Sequence, residues 1–176
     1  MLPYGPNSRR LNLDVSSFAE IEDEFRARTS RIVWCSVATV DRQGRPRTRV
    51  LHPIWEGSTG YIATGRDSFK AKHLATTPYV SLMYWDPDFE HGLAGANLVY
   101  VDARAQWLDD IAERRRIWDL YKNTPPPVGY DPATIPVWKD GPESPAFGVL
   151  KLTPWRIELT GIQANFGQPP LIWRNA

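Results

Sequence analysis

Residues 97–107, NLVYVDARAQW, alternate without a break: Val99, Val101, Ala103, Ala105 and Trp107 fall on one side, and Tyr100, Asp102, Arg104 and Gln106 on the other. Successive side chains of a strand point to opposite faces, so this period predicts a strand with one buried and one wetter face. Other runs of β-type composition are IVWCSVATV, TRVLHPIW, GYIAT, YVSLMYW and, late in the chain, AFGVLKL and WRIELT. DRQGRP supplies a turn between the first two. Helical spacing is scarcer. Segment 16–28 places Phe18, Ile21 and Phe25 on one face behind a serine cap, with acids in its opening turns. A second helix opens at Asp67 or Ser68, and a third covers DIAERRRIWDLYKN, with Ile111, Trp118 and Tyr121 sharing a face. Many strands with few helices, joined by turn residues, predict a mainly β fold: a mostly antiparallel β-barrel with helical additions.

Segment 123–145, NTPPPVGYDPATIPVWKDGPESP, holds too much proline for a helix or a central strand. Such a long connection is usually functional or disordered, and Tyr130 and Trp138 within it predict docking against either the barrel or a ligand. With no internal repeat or low-complexity linker, 1–176 is expected to form a single domain.

Composition narrows the partners. The net charge of +1 offers no global basic field for nucleic acid, and no apolar run reaches the roughly 20 residues that span a bilayer. The one cysteine, Cys35, excludes an intrachain disulfide and a Cys-rich metal site; within IVWCSVATV it reads as a small buried hydrophobe rather than a reactive thiol. Arg9 and Arg10 are followed by the acidic DVSSFAEIEDEF where an export signal needs an apolar run, so a cytoplasmic protein is expected.

The stretch TGRDSFKAKHL then poses an electrostatic question. The first turn of a helix favours acids, yet Lys70 and Lys72 stand there, each at a cost of roughly 0.3–1 kcal/mol if uncompensated. An anion at that end would remove the conflict. Arg45, Arg47 and Arg49 recur at period two in RPRTRVL, so one strand face carries three guanidinium groups. If that strand pairs with GYIAT through the turn near EGSTG, an arginine faces the same helix start. Ser68, arginine and lysine together suit a phosphate.

These segments, in the order VATVDRQGRPRTRVL, a hairpin, YIATGRDSFKAKHLATTPYVSLMYW and NLVYVDARAQW, resemble the pyridoxamine 5′-phosphate oxidase-like, FMN-binding split-barrel family, which includes deazaflavin-dependent reductases. The resemblance runs from Arg31 to Trp107 and extends to Thr160. It implies that Arg49 reaches the cofactor phosphate while the backbone of Val50 and Leu51 meets the isoalloxazine ring. Ser68 and Lys70 would hold the phosphate, and Thr64 would lie near the ring or ribityl chain. Lys72 is a further cofactor-binding candidate, and Asn97 stands where the oxidase has a glutamine reaching the cofactor. Phe69 takes a place where arginine is common.

Two departures argue against pyridoxamine phosphate oxidation itself. Five positions after Arg49, where the oxidase has a lysine, stands Ile54, and GIQANFGQPPLIWRNA has no counterpart of the oxidase's Arg-x-His-Asp-Arg segment. The resemblance therefore implies an FMN-dependent oxidoreductase acting on a small organic substrate, as a homodimer with the cofactor between subunits. Coenzyme F420 is the alternative, its acidic tail served by Arg45, Arg47, Arg66 and Lys72; a non-catalytic flavin- or haem-binding protein is another. No residue is assigned as catalytic, no metal ligand is expected, and His52, His73 and His91 read as surface or packing residues. Hydride chemistry on a flavin needs no nucleophile, because the cofactor carries the electrons.

Overall fold

The computed structural model describes residues 13–86, 97–161 and 169–175. His91 and the segments 1–12 and 162–168 lie outside them. The strands are β1 (Leu13–Val15), β2 (Cys35–Val40), β3 (Pro46–Leu51), β4 (Pro53–Glu56), β5 (Thr59–Thr64), β6 (Tyr79–Asp86), β7 (Asn97–Trp107), β8 (Gly148–Gly161) and β9 (Leu171–Arg174). The helices are α1 (Glu22–Ile32), α2 (Phe69–Leu74) and α3 (Ile111–Asn123). None is long and apolar enough to cross a membrane.

The strands join one nine-stranded sheet in the order β1-β9-β8-β7-β6-β2-β3, with β5 pairing β8 and β4 pairing β5. Every pair is antiparallel except β1 with β9. Among the described residues the ladder does not close, which agrees with the expected split, mostly antiparallel barrel. The chain itself steps from one end of the ladder, β3, to another, β4, through the single residue His52.

That break also corrects the reading of TRVLHPIW as one strand. β3 pairs β2, whereas β4 pairs β5, so the arginine-bearing run is not the neighbour of GYIAT. The bend is pinned by Tyr121 of α3, whose hydroxyl donates toward the carbonyls of His52 and Tyr61, 2.8 Å from each. Conversely, AFGVLKL and WRIELT merge into the one long strand β8, with a bulge opposite Asp102 and Ala103. It has room for β5 at one end and β9 at the other.

Inside the split barrel, alternate residues of β2, β6, β7 and β8 pack with Ile21 and Phe25. The alternation read in 97–107 is present: Val99, Val101, Ala103 and Ala105 are buried. Trp55 lies so flat on Gly60 that a Cβ there would stand 2.7 Å from its ring, and its Nε1 donates to the buried Tyr84 hydroxyl at 2.8 Å. Segment 16–28 begins instead as a short 3-10 turn, Phe18–Glu20, and α1 then runs on to Ile32. Its acids, Glu22, Asp23 and Glu24, stand in the first turn and Arg31 in the last, which complements the helix dipole. Val33 ends it at φ 62°, an unfavourable conformation for a β-branched residue.

A second core forms where α3 covers Ile54, Tyr61, Phe147 and Val149. Its inner face is Ile117, Trp118 and Tyr121, whereas Ile111, the first residue of the helix, is exposed. Segment 123–145 packs on this core through two 3-10 turns, Pro132–Thr134 and Pro136–Trp138. Trp138 is buried, edge-on to Phe147 with centroids 5.3 Å apart, and donates to the Ala146 carbonyl at 3.1 Å. Tyr130 stacks near His52 and Tyr121. Both rings thus dock against the chain's own barrel.

Candidate functional site

The site grows from the end of β2, the adjoining β3 and the short helix α2. Ser68 caps α2, with its side chain accepting from the Ala71 amide at 3.4 Å. The helix has only six residues, so its dipole is small, and Lys72 falls in its last turn, where a cation is favoured. The conflict expected for Lys72 at a helix start is therefore absent. For Lys70 the conflict is real but comes chiefly from elsewhere. Burial, and then the Arg49 guanidinium, hold its ammonium below the usual lysine range. Arg49 is itself lowered by burial and then by Arg47. Among the described residues, no carboxylate lies within 4.0 Å of Arg47, Arg49, Lys70 or Lys72.

Partly desolvated cations that repel one another and lack a counter-ion are a poor arrangement for stability alone. Their donors fit the phosphate of a nucleotide-like cofactor, which would supply the missing charge. The Ser68 hydroxyl, already an acceptor as cap, keeps its proton for donation. Thr64 is buried at the end of β5, four residues before Ser68.

Two expected cations are tied up instead. Arg45 is bound by Asp41, 2.8 Å away, and Arg66 by Asp109 at 2.7 Å and the Leu108 carbonyl, while it stacks over Trp107. A Cβ on Gly148 would meet both the Arg66 stem and Trp107 at 2.7 Å, so Arg66 is wedged in place. Arg45 stays largely exposed in its ion pair, whereas Arg66 is the more confined of the two. Phe69 is 76% exposed, with the Lys72 ammonium over its ring.

Val50 and Leu51 lie on β3, which pairs only with β2 among the described residues and so leaves outward backbone groups for a ligand. Asn97 is not gathered with the others. Ala38, next to the cluster, stands opposite Ser81 and thence Asp102, five residues along β7 from Asn97, or about 17 Å.

One residue that sequence reasoning passed over is Thr39. It is buried on β2 with its hydroxyl 2.8 Å from Arg49 Nη1 and 2.8 Å from His73 Nδ1. A signal was available: in CSVATV, Thr39 occupies the same inward phase as Cys35 and Val37, and a buried hydroxyl requires partners. Cys35 is buried, with its thiol pushed up to about 12 by burial, which disfavours the thiolate. His52 is also buried; its Nε2 has no partner, Trp34 stacks 5.1 Å away, and burial holds its pKa down.

Comparisons with known proteins agree with this architecture. The family model described as pyridoxamine 5′-phosphate oxidase matches residues 21–161. A search of curated proteins finds no match. Among solved structures, a Clostridium acetobutylicum protein related to general stress protein 26 of Bacillus subtilis is 14% identical, with a TM-score of 0.65 over 88% of this chain and 94% of that one. The conserved hypothetical protein Rv2991 of Mycobacterium tuberculosis is 18% identical, with a TM-score of 0.64 over 93% and 94%. HutZ, the haem storage protein of Vibrio cholerae, is 19% identical, with a TM-score of 0.54 over 76% and 89%. At these identities the structures establish the shared fold alone. The family model covers most of the chain, and the chain belongs to the pyridoxamine 5′-phosphate oxidase family.

Proposed function

We propose that this protein is a flavin-type oxidoreductase that binds FMN and transfers hydride to or from a small organic substrate. The observation that carries the proposal is the group of desolvated cations, Arg49 and Lys70, beside the Ser68 hydroxyl and without a carboxylate. In this reading Arg49 and Lys70 bind the phosphate and Ser68 donates to it. Thr64 borders the ribityl chain, and the open edge of β3 at Val50 and Leu51 meets the ring. When bound, the isoalloxazine supplies the hydride chemistry; the chain's residues position it and shield it from water. Ile54 is buried beneath α3, so this site lacks the lysine of pyridoxamine phosphate oxidation, and that activity is not proposed.

The active form in this reading is a homodimer. Val50, Met83, Tyr79 and Trp85 share the outer face of β3, β2 and β6, because Ser36 stands opposite both Val50 and Met83. Val50 is 66% exposed, Tyr79 58% and Trp85 50%, an apolar face suited to a second copy. Asn97, distant within one chain, would reach the cofactor from that copy.

Coenzyme F420 is the second reading, supported by Arg47 and Lys72, which form no ion pair among the described residues and suit a longer acidic cofactor. A non-catalytic haem- or flavin-binding role is the third, supported by the likeness to HutZ. Absorption spectra and masses of the copurifying ligand, followed by reduction and reoxidation of the bound cofactor, separate the three. Recovery of haem alone, or a flavin that no acceptor reoxidises, would overturn the oxidoreductase reading.

A further inference from the structure

Arg49 sits among like charges, and something must hold its guanidinium inward. Thr39 does so from the neighbouring strand. Thr39 stands opposite Arg47 and Arg49 opposite Val37, so the two are diagonal neighbours across β2 and β3, within reach of a long side chain. Its Oγ1 accepts from Arg49 Nη1 at 2.8 Å, since a guanidinium only donates. The hydroxyl's one proton then has His73 Nδ1, 2.8 Å away on α2, as its partner. With Thr39 only 2% exposed, a proton turned elsewhere would be buried unpaired. With Nδ1 accepting in this arrangement, the ring proton of His73 belongs on Nε2. Because β-branched side chains are stiff about χ1, the hydroxyl is a fixed point between strand and helix.

We propose that Thr39 and His73 are positioning residues that lock the Arg49 guanidinium to α2, so that Arg49 and Lys70 present one preformed site to the cofactor phosphate. This rests on the reading of Arg49 and Lys70 as the phosphate site. Neither Thr39 nor His73 touches the cofactor in this scheme; they act through Arg49.

The test compares FMN with riboflavin, which lacks the phosphate, by fluorescence titration. Thr39→Val keeps the shape and removes the hydroxyl; it is expected to weaken FMN about tenfold, the range for a hydrogen bond to a charged group, and to leave riboflavin unchanged. Thr39→Ser should restore FMN affinity to within about twofold, and His73→Asn, whose Oδ1 replaces Nδ1 as acceptor, should do better than His73→Leu. A merely structural role for Thr39 would lower both affinities together or neither, and either result overturns the proposal. Arg49→Ala separates the two levels: if it abolishes the preference for FMN while Thr39→Val does not, the phosphate site stands and the lock is wrong. If Arg49→Ala leaves the preference intact, the phosphate reading has failed and the lock with it. Should the variants not fold, the wild type still decides, because nitrogen-15 spectra must show His73 protonated at Nε2 and unprotonated at Nδ1. The opposite tautomer contradicts the proposal.

Discussion

Lys70 of α2 lies close enough to Arg49 of β3 to feel its charge, neither has a carboxylate partner among the described residues, and burial together with the Arg49 charge holds the Lys70 ammonium below the usual lysine range. A depressed lysine means that the folded state disfavours the charged form. The resulting penalty is fully present at neutral pH and is relieved only as pH rises toward 10.5, the unfolded value. Lys70→Met should therefore stabilise the ligand-free protein by up to about 1 kcal/mol, or about 2–4 °C in Tm. The same variant should weaken FMN by about tenfold to a hundredfold. Calorimetry and titration on one preparation check both halves; a loss of stability with unchanged affinity would return Lys70 to an ordinary surface role.

His52 gives a second, pH-dependent prediction. Burial lowers its pKa from 6.5, against a smaller opposing effect of the Val128 carbonyl. The unfolded chain thus takes up a proton before the folded one does. This contribution to stability is complete above 6.5 and is lost as pH falls below it. Urea unfolding from about pH 7.5 to about pH 5 should show a steeper fall for the wild type than for His52→Phe. Parallel curves would contradict the burial argument.

Trp138 is expected to matter for stability alone. Its ring is buried edge-on to Phe147, so Trp138→Ala should cost about 3–5 kcal/mol in denaturant unfolding. Cofactor affinity of the remaining folded protein should be unchanged. A stability loss under about 1 kcal/mol together with altered turnover would instead make segment 123–145 part of the substrate side.

The dimer proposal predicts a particle of twice 20.1 kDa by light scattering. Trp85→Glu, on the exposed outer face, should shift it toward the monomer and weaken the cofactor in step. A wild-type monomer at micromolar concentration would remove the shared-site model.

The strand in 97–107 was legible because Val99, Val101, Ala103 and Ala105 are buried on one face while Arg104 and Gln106 are exposed on the other, a local pattern that tertiary contacts reinforce. The break at His52 was not. TRVLHPIW reads as continuous apart from Pro53, and the contact that holds the bend comes from Tyr121, which is 69 residues away in the chain. Arg66 likewise read as a free cation because its partners, Asp109 and the Leu108 carbonyl, are distant in sequence. Arg45 was within reach of local reasoning, since Asp41 stands four residues before it in the turn. The concentration of Arg49, Ser68 and Lys70 near one another followed from motif order, but the pairing route expected for it, β3 against β5, is not the one used. The cluster instead forms through β2, with Thr39 and His73 as the link.

The most direct test of the account is the affinity of the wild type for each phosphorylated cofactor against its phosphate-free counterpart: FMN against riboflavin, and F420 against its deazariboflavin precursor. For at least one pair a preference for the phosphorylated form of about a hundredfold or more is expected, abolished in Arg49→Ala with Lys70→Met. Equal affinity for the two members of both pairs, or a preference that survives in the double variant, would contradict it.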